Sequence, residues 1–441
     1  MYKLVSLFSG CGGLDLGFKQ AGFDLSFATD HDPDAVRVYR HNVDRSAEVL
    51  DVTRPDFHEA IDQIGHADVV LGGFPCQGFS KAGPKIESDS RNNLYREMLS
   101  VVKRLKPRIF VAENVDGLRQ NFGGKYLRAI VDDFSRLGYK VDYKVIDAVS
   151  FGLPQHRRRI FFIGSRIKTR YEWPAPTHHL PRRNGDSPIS DAGLLKPDSV
   201  RLELQATRTV RDAIADLPAI GKYPDHQVLR TWPQKHDAII RRIGPGQKLC
   251  NVRFASTSVY TWDIPEVFGE TSDLQRSILE VIGRNRRKKI YGNIPNGNPI
   301  PAREISRLLG LKTVPTKDLR QLVKIGYLKE TANSYDLKGA MFCSGIFKRL
   351  SWNQPSPTVL TNFHNPRYFL HPSENRPLSL RECARLQGFP DDFSLSENSA
   401  AEEILAGYRL IGNAVPPPLA YAIALTVRDT LEKDDNENSP R

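Results

Sequence analysis

The chain has 441 residues, long for a single domain, so two are expected, each burying its own core. Lys and Arg number 63 against 51 Asp and Glu, and the resulting net charge of +12 favours a polyanionic partner. Five scattered cysteines (Cys11, Cys76, Cys250, Cys343, Cys383) with no C-x-x-C pair argue against disulfides and a structural metal, and no apolar run reaches membrane length, so a soluble cytoplasmic protein is expected.

Lys3 to Phe8 (KLVSLF) predicts a buried strand running into Ser9 to Phe18 (SGCGGLDLGF), a glycine-rich turn that opens a helix. Gly10, Gly12 and Gly13 let backbone approach a ligand closely, but Asp15 stands where a dinucleotide fingerprint needs a third glycine. A nucleoside without a pyrophosphate suits this loop better. Leu25 to Thr29 predicts a second strand, and Asp30 ends it about 20 residues after the first glycine, where an acid commonly accepts from ribose hydroxyls. Asp32 is the better helix cap, ahead of Pro33, which leaves Asp30 free for that role. Asp51 closes a third short segment; an adenine contact and a solvated turn both fit it.

Asp68 to Gly73 (DVVLGG) predicts a fourth strand, followed at once by FPCQGFS, Phe74 to Ser80. Its glycines and proline make too irregular a backbone for a core cysteine, and suggest that Cys76 is a nucleophile held at a turn. A zinc deaminase also uses a Pro-Cys pair, but Phe79 stands where its second cysteine would fall. The polar stretch to Asn93 predicts a lid loop or a plain surface connection. A helix from Leu94 to Leu105 and a strand Arg108 to Ala112 then bring Glu113 and Asn114 to the sheet edge that carries Cys76. After a helix near 124–137 and a strand 140–147, Gln155 to Arg159 (QHRRR) leads into a strand at Ile160, with Arg157 and Arg159 on one side of it.

Strand and helix alternation stops after about Ser165, which predicts a second domain of irregular fold over 166–376. Helical signals return at Pro377 to Pro390 and Gly407 to Ala420, in a C-terminal segment (377–441) that rejoins the first domain. The polar tail after Lys433 is expected to be unstructured.

Together these stretches resemble the DNA (cytosine-5)-methyltransferases of bacterial restriction-modification type. FSGCGGLDLGF is similar to that family's cofactor loop, FPCQGFS to its nucleophile motif, ENV (Glu113 to Val115) to its acid motif and QHRRR to its base-contacting motif. RECARLQGFP (Arg381 to Pro390) and GNAVP (Gly412 to Pro416) resemble its two C-terminal motifs. The resemblance implies an α/β catalytic domain (1–165) with a mostly parallel, Rossmann-like sheet between helices, a separate target recognition domain, and S-adenosylmethionine as methyl donor. It assigns Phe8, Gly10, Gly12, Gly13, Leu14, Asp30, His31, Asp51, Phe74, Leu94, Asn413 and Val415 to the cofactor. His31 stands at a position that is often aromatic and stacks on adenine. Gln77, Ser80, Lys81, Arg91 and Gln155 are candidate DNA contacts, with Lys348, Arg349, Thr358 and Asn362 as candidates for specificity.

The chemistry suits these residues. Carbon 5 of cytosine is a poor nucleophile until a thiolate adds at carbon 6, a role for Cys76. Glu113 would stabilise charge at ring nitrogen 3, Arg159 hold the base carbonyl, and Arg157 face the nucleophile. A base in a stacked duplex must be flipped out to react. An RNA cytosine methyltransferase and an inactive DNA-binding regulator are the rival readings; the long stretch between QHRRR and RECARLQGFP disfavours the first, and the presence of Cys76 and Glu113 the second. The expected partners are double-stranded DNA and a separately acting restriction endonuclease, with a monomer near the nucleoid and no membrane.

One segment lies outside the family pattern. RNRRKK (Arg284 to Lys289) is a compact basic run, and PAREISRLLGL and TKDLRQLVKI predict two amphipathic helices ahead of a strand-like YLKE. Over 284–338 the pattern predicts either a helix-turn-helix or winged-helix unit with its second helix on DNA, or a helical hairpin that only packs on the recognition domain.

Overall fold

Strand β1 (Lys3–Leu7) is buried from Leu4 onward because its aliphatic residues sit between flanking strands under helices on either face. The computed structural model describes residues 1–75, 94–119, 121–180, 203–251, 256–294, 297–338 and 345–438. The chain continues through α1 (Gly13–Gln20), β2 (Asp24–Asp30), α2 (Pro33–Asn42), β3 (Ala47–Val49), α3 (Pro55–Ile64) and β4 (Val69–Gly72). Next come α4 (Tyr95–Leu105), β5 (Ile109–Val115), α5 (Lys125–Arg136), β6 (Lys140–Asp147) and β7 (Arg158–Ser165). The seven strands form one sheet in the order β3-β2-β1-β4-β5-β7-β6. All pairings are parallel except those of β7 with β5 and β6. The order reverses direction between β1 and β4, and in open α/β sheets ligands bind at such a point, beyond the carboxyl ends of the strands.

The chain divides into two compact units. The first is Met1–Gln227, Asn353–Thr361 and Leu380–Arg441; the second is Val228–Trp352 and Asn362–Ser379. The sequence boundary at 165/166 followed the loss of strand and helix alternation, whereas the first unit runs on to Gln227. Irregular chain can hold to the sheet unit without that alternation: Thr177 N donates to Ser150 O at 2.9 Å, and Val210 N, at the start of α6 (Val210–Ile214), donates to Gln354 O at 3.0 Å.

The second unit contains α7 (Lys235–Arg242), β8 (Lys248–Leu249), β9 (Ser258–Val259), α8 (Pro265–Phe268) and α9 (Asp273–Asn285). It goes on through β10 (Ile300–Pro301), α10 (Ala302–Leu309), α11 (Thr316–Ile325), β11 (Leu328–Thr331), β12 (Ser334–Leu337), β13 (Lys348–Arg349) and β14 (Phe369–Leu370). Both helices predicted between 301 and 325 form, for the reason the pattern gave: Ile305, Leu319 and Leu322 turn into a core with Ile278, Leu279 and Ile282 of α9.

The chain returns to the first unit with α12 (Leu380–Leu386), α13 (Ala401–Asn413) and α14 (Pro417–Asn438). Helix α1 packs so closely here that a Cβ on Gly13 would stand 2.2 Å from Val415 O, and one on Gly17 2.5 Å from Tyr421 N. The expectation of an unstructured tail after Lys433 is corrected. Helix α14 runs through it to Asn438 because Asp434, itself buried, pairs with Arg108 at 2.8 Å, and Tyr2 donates to Asp435 at 2.6 Å. Among the described residues no single helix is long and apolar enough to cross a membrane.

Candidate active site at the carboxyl edge of the sheet

Leu7 of β1 is in register with Thr29 of β2 and Gly72 of β4, and Gly72 with Ala112 of β5. One step further along each strand stand Phe8, Asp30, Gly73 and Glu113, so four residues distant in sequence share one edge. A Cβ built on Gly73 would lie 3.8 Å from both Phe8 O and Glu113 Oε2. This glycine therefore joins the loop after β1 to the acid. Phe8 holds a left-handed backbone (φ 56), a conformation that costs a side-chain-bearing residue about 1–3 kcal/mol and is found where a site fixes the chain.

Asp30 is held firmly: Oδ2 accepts from Gly10 N at 2.9 Å and Oδ1 from Asp32 N at 3.0 Å. Asp32 caps α2 through Asp34 N, as expected, and also pairs with Arg409 of α13. His31 is exposed with Nδ1 3.2 Å from Asp30 Oδ1, and that hydrogen bond raises its pKa. Asp51 is exposed and accepts from Thr53 N and Oγ1 at 2.9 and 2.8 Å, which lowers its pKa. Leu50 N donates to Asp30 O at 3.1 Å, so Asp51 follows a residue tied to the same edge. Gly12, Gly13 and Leu14 are buried, Phe74 packs on Tyr95, Leu94 is half-buried, and Asn413 is exposed at the end of α13, two residues before buried Val415.

The residues present fit a nucleoside rather than a pyrophosphate. A fixed carboxylate suits hydroxyl donors, and nothing lies within 4 Å of where a Cβ on Gly10 would stand. Asp15 is buried in the first turn of α1 with Tyr39 Oη 3.2 Å from Oδ1, and burial pushes its pKa up to about 6. Its partial negative charge opposes a phosphate seated on that turn.

Glu113 is inside strand β5 and buried. Arg159 Nε approaches its Oε1 at 2.8 Å, while its Oε2 faces the Gly73 side. Burial raises the Glu113 pKa, against the opposing charges of Arg159 and Arg157. The neighbouring Asn114, a residue without an expected role, donates from Nδ2 to Phe74 O at 3.0 Å and accepts from Val115 N at 2.8 Å. It ties the end of β5 to the segment after β4. Its place beside Glu113 in the ENV motif was the available signal.

In QHRRR the structure gives Arg157 a set of buried partners and corrects the expectation for Gln155. Arg157 is wholly buried and donates from Nη1 to Val359 O (3.1 Å) and from Nη2 to Gly412 O (2.9 Å) and Ala414 O (2.8 Å). It clamps the GNAVP backbone and is thereby a positioning residue; Cys76, which it is expected to face, lies outside the described residues. Gln155 is equally buried: Nε2 donates to Leu386 O and Gln387 Oε1 (3.1 and 2.6 Å), and Oε1 accepts from Val359 N (2.8 Å). A side chain so enclosed does not reach DNA. Gln387, another residue without an assigned role, completes this chain by donating to Ala414 O at 2.7 Å.

Thr358 Oγ1 donates to His156 O at 2.7 Å, and the segment 353–361 that carries it belongs to the first unit. In the second unit Lys348 is half-buried with Nζ 5.3 Å from the Phe369 ring centre, and Asn362 is half-buried. Arg349 is corrected from a base reader to a core clamp. It is buried and donates to the carbonyls of Ile240, Ile243, His371 and Glu374 and to Asn375 Oδ1. Cys76, Gln77, Ser80, Lys81 and Arg91, with the proposed lid, lie outside the described residues.

Residues 2–428 match the family profile of the C-5 cytosine-specific DNA methylases. The chain belongs to this family. The methylase is 32% identical to the Type II methyltransferase M.AgeI of Thalassovita gelatinovora, over 97% of this chain and 99% of that one. It is 29% identical to the Type II methyltransferase M.NgoFVII of Neisseria gonorrhoeae, over 98% of this chain and 89% of that one. In fold it is similar to a crystal structure of a prophage-encoded E. coli protein assigned as a DNA modification methyltransferase, with a TM-score of 0.52 and 24% identity over 98% and 100% of the two chains. The mostly parallel α/β sheet expected from the sequence is thus the fold of this methylase, and cytosine C-5 methylation of DNA its activity.

Proposed function

We propose that this methylase modifies one cytosine within a specific duplex DNA sequence, as the modification enzyme of a Type II restriction-modification system. The observation that carries the reading is the buried Glu113–Arg159 pair at the sheet edge that also holds Phe8 and Asp30. The target base is flipped out of the duplex, since carbon 6 is out of reach within the stack. The Cys76 thiolate adds at carbon 6, and the electron pair of the 5,6 double bond moves into the ring. Glu113, protonated, donates to ring nitrogen 3 as charge develops there, while Arg159 holds the base carbonyl. Carbon 5 is then nucleophilic. When bound, S-adenosylmethionine supplies the electrophilic methyl group that carbon 5 accepts. Phe8, Gly10, Asp30, Asp51 and Val415 would hold it, with Asp30 accepting from the ribose hydroxyls. Water takes the carbon 5 proton, the 5,6 double bond re-forms as the Cys76 thiolate leaves, and ring nitrogen 3 returns its proton to Glu113.

Arg157, Gln155 and Gln387 keep the GNAVP backbone in place beside the sheet. The second unit supplies target recognition, with Lys348 and Asn362 as the specificity residues to test. A separate restriction endonuclease would read the same site, and the methylase would act as a monomer in the cytoplasm, near the nucleoid. The reading is tested by bisulfite sequencing of a host expressing the chain, together with methyl transfer in vitro to duplex DNA and to transfer RNA. Methylation at one recurrent DNA sequence is expected. Transfer confined to transfer RNA, or none at any cytosine, would overturn it.

A further inference from the structure

The segment from α9 to β12 shares one apolar core within the second unit. In chain order it runs α9, β10, α10, α11, β11, β12, and its strands pair antiparallel in the order β10-β12-β11. Ser272 caps α9 in a reciprocal box with Gln275. The β11–β12 hairpin turns at Ala332 and Asn333, both left-handed (φ 47 and 54), as a tight two-residue hairpin requires. Helices α10 and α11 flank a short turn, and Leu319 and Leu322 of α11 bury against Ile278 and Ile282 of α9. This is the connectivity of a winged helix: three helices, with a hairpin after the third.

The RNRRKK run is not wholly a cationic face. Arg286 is buried and holds Asp336 through Nε and Nη2, so the middle of that run is part of the core. Arg284, Arg287, Lys288 and Lys289 of that run are exposed, and α11 carries a second, separate set of exposed cations. Lys317, Arg320, Gln321 and Lys324 stand at positions i, i+3, i+4 and i+7, one stripe opposite the buried face. It is about 10 Å long at 1.5 Å per residue. Of the nearby acids, two are paired with arginines and two hydrogen-bond to neutral donors. Asp318 is buried and accepts from Gln275 Nε2 at 3.0 Å, Glu304 pairs with Arg307, Glu330 accepts from Tyr335 Oη, and Asp336 is taken by Arg286. Lys317, Arg320 and Lys324 have no ion pair among the described residues. A single helix bearing cations on its outer face matches a B-DNA major groove in width, and phosphates supply the missing counter-charge.

We infer that α11 is a recognition helix laid against duplex DNA, giving this methylase a DNA contact additional to the one that captures the target base. The inference rests on the reading that its substrate is duplex DNA. It adds what composition alone does not: a named helix face, and a salt dependence carried by that face.

The test uses the full chain and the double variant R320E/K324E, with the neutral R320Q/K324Q alongside; both positions are exposed, and circular dichroism monitors the fold. Affinity for a random-sequence duplex is measured between 50 and 200 mM salt. The charge reversal should weaken binding by about tenfold or more at the low end and reduce the slope of log K against log salt by about two, with the neutral pair changed in the same direction. Folded variants that keep the parent's affinity and slope would overturn the inference, as would a parent that binds no duplex. Methyl transfer by the parent to duplex DNA is measured separately, so a failure of the substrate reading is distinguished from a failure of the α11 contact.

Discussion

Arg159 Nε stands 2.8 Å from Glu113 Oε1, an ion pair between side chains that are each about nine-tenths buried. Burial favours the uncharged carboxyl and the guanidinium opposes it, with the net result that the Glu113 pKa is raised. A raised folded-state pKa keeps Glu113 protonated to higher pH than an ordinary glutamate. Its contribution to stability is therefore full below the usual carboxylate range and lost as pH climbs through the raised value.

For catalysis the same sign applies. As the donor to ring nitrogen 3, Glu113 should give a rate that falls as pH rises through its raised pKa. Glu113→Gln should keep cofactor binding, lose about 10² or more in single-turnover rate, and lose that alkaline limb. Arg159→Ala removes the opposing cation and should move the limb to still higher pH. A pH–rate profile unchanged by both substitutions would remove Glu113 from the proton transfer.

Asp30 makes two backbone hydrogen bonds that fix the Gly10 loop, and the proposal adds ribose hydroxyls as further donors to it. Asp30→Ala should weaken S-adenosylmethionine binding by about 1–3 kcal/mol in calorimetry without DNA. Asp30→Asn keeps an acceptor and should recover part of the loss. Equal, parental affinity in both would place the ribose contact elsewhere.

Arg157 and Arg159 are two positions apart yet should fail differently. Arg157→Ala takes its donor from the buried carbonyls of Val359 and Gly412 and leaves Ala414 O with Gln387 alone, a loss of about 3 kcal/mol or more in denaturant unfolding. Arg157→Lys should restore part of it. A parental midpoint for Arg157→Ala would show that the clamp carries no stability.

The sequence made most of the sheet edge legible because that edge depends on local pattern. A short apolar run ending in glycine or an acid marks a parallel strand together with the residue just beyond it, so Phe8, Asp30, Gly73 and Glu113 could be placed before any contact was seen. Partnership at long range stayed hidden. Gln155, Arg157 and Arg349 read as polar and cationic residues beside buried strands, and nothing local told that their donors meet backbone carbonyls from distant segments. The tail beyond Lys433 looked unstructured for the same reason: Asp434 is acidic and polar in sequence, yet buried against Arg108. Arg286 likewise reads as surface charge in sequence, yet it is buried against Asp336.

Lys348 and Arg349 are adjacent and should separate cleanly. Arg349→Ala empties a buried clamp and should unfold the second unit at lower denaturant, lowering binding to all sequences alike. Lys348→Ala and Asn362→Ala should instead change discrimination between related sites, measured as methylation rates on single-base variants of the recognized sequence, by about 1–3 kcal/mol per affected base pair. Uniform loss across all variants would assign Lys348 and Asn362 to phosphate contact rather than to reading bases.

Covalent capture of the target base by Cys76 is the step on which the proposed chemistry depends. Duplex DNA with 5-fluorocytosine at the target position blocks the final loss from carbon 5, so the enzyme incubated with it and S-adenosylmethionine should remain joined to DNA through denaturation, with the adduct mapped to Cys76 by mass spectrometry. Cys76→Ala should give no adduct. A denaturation-resistant complex formed undiminished by Cys76→Ala, or mapped to another residue, would contradict the assignment of Cys76 as the nucleophile.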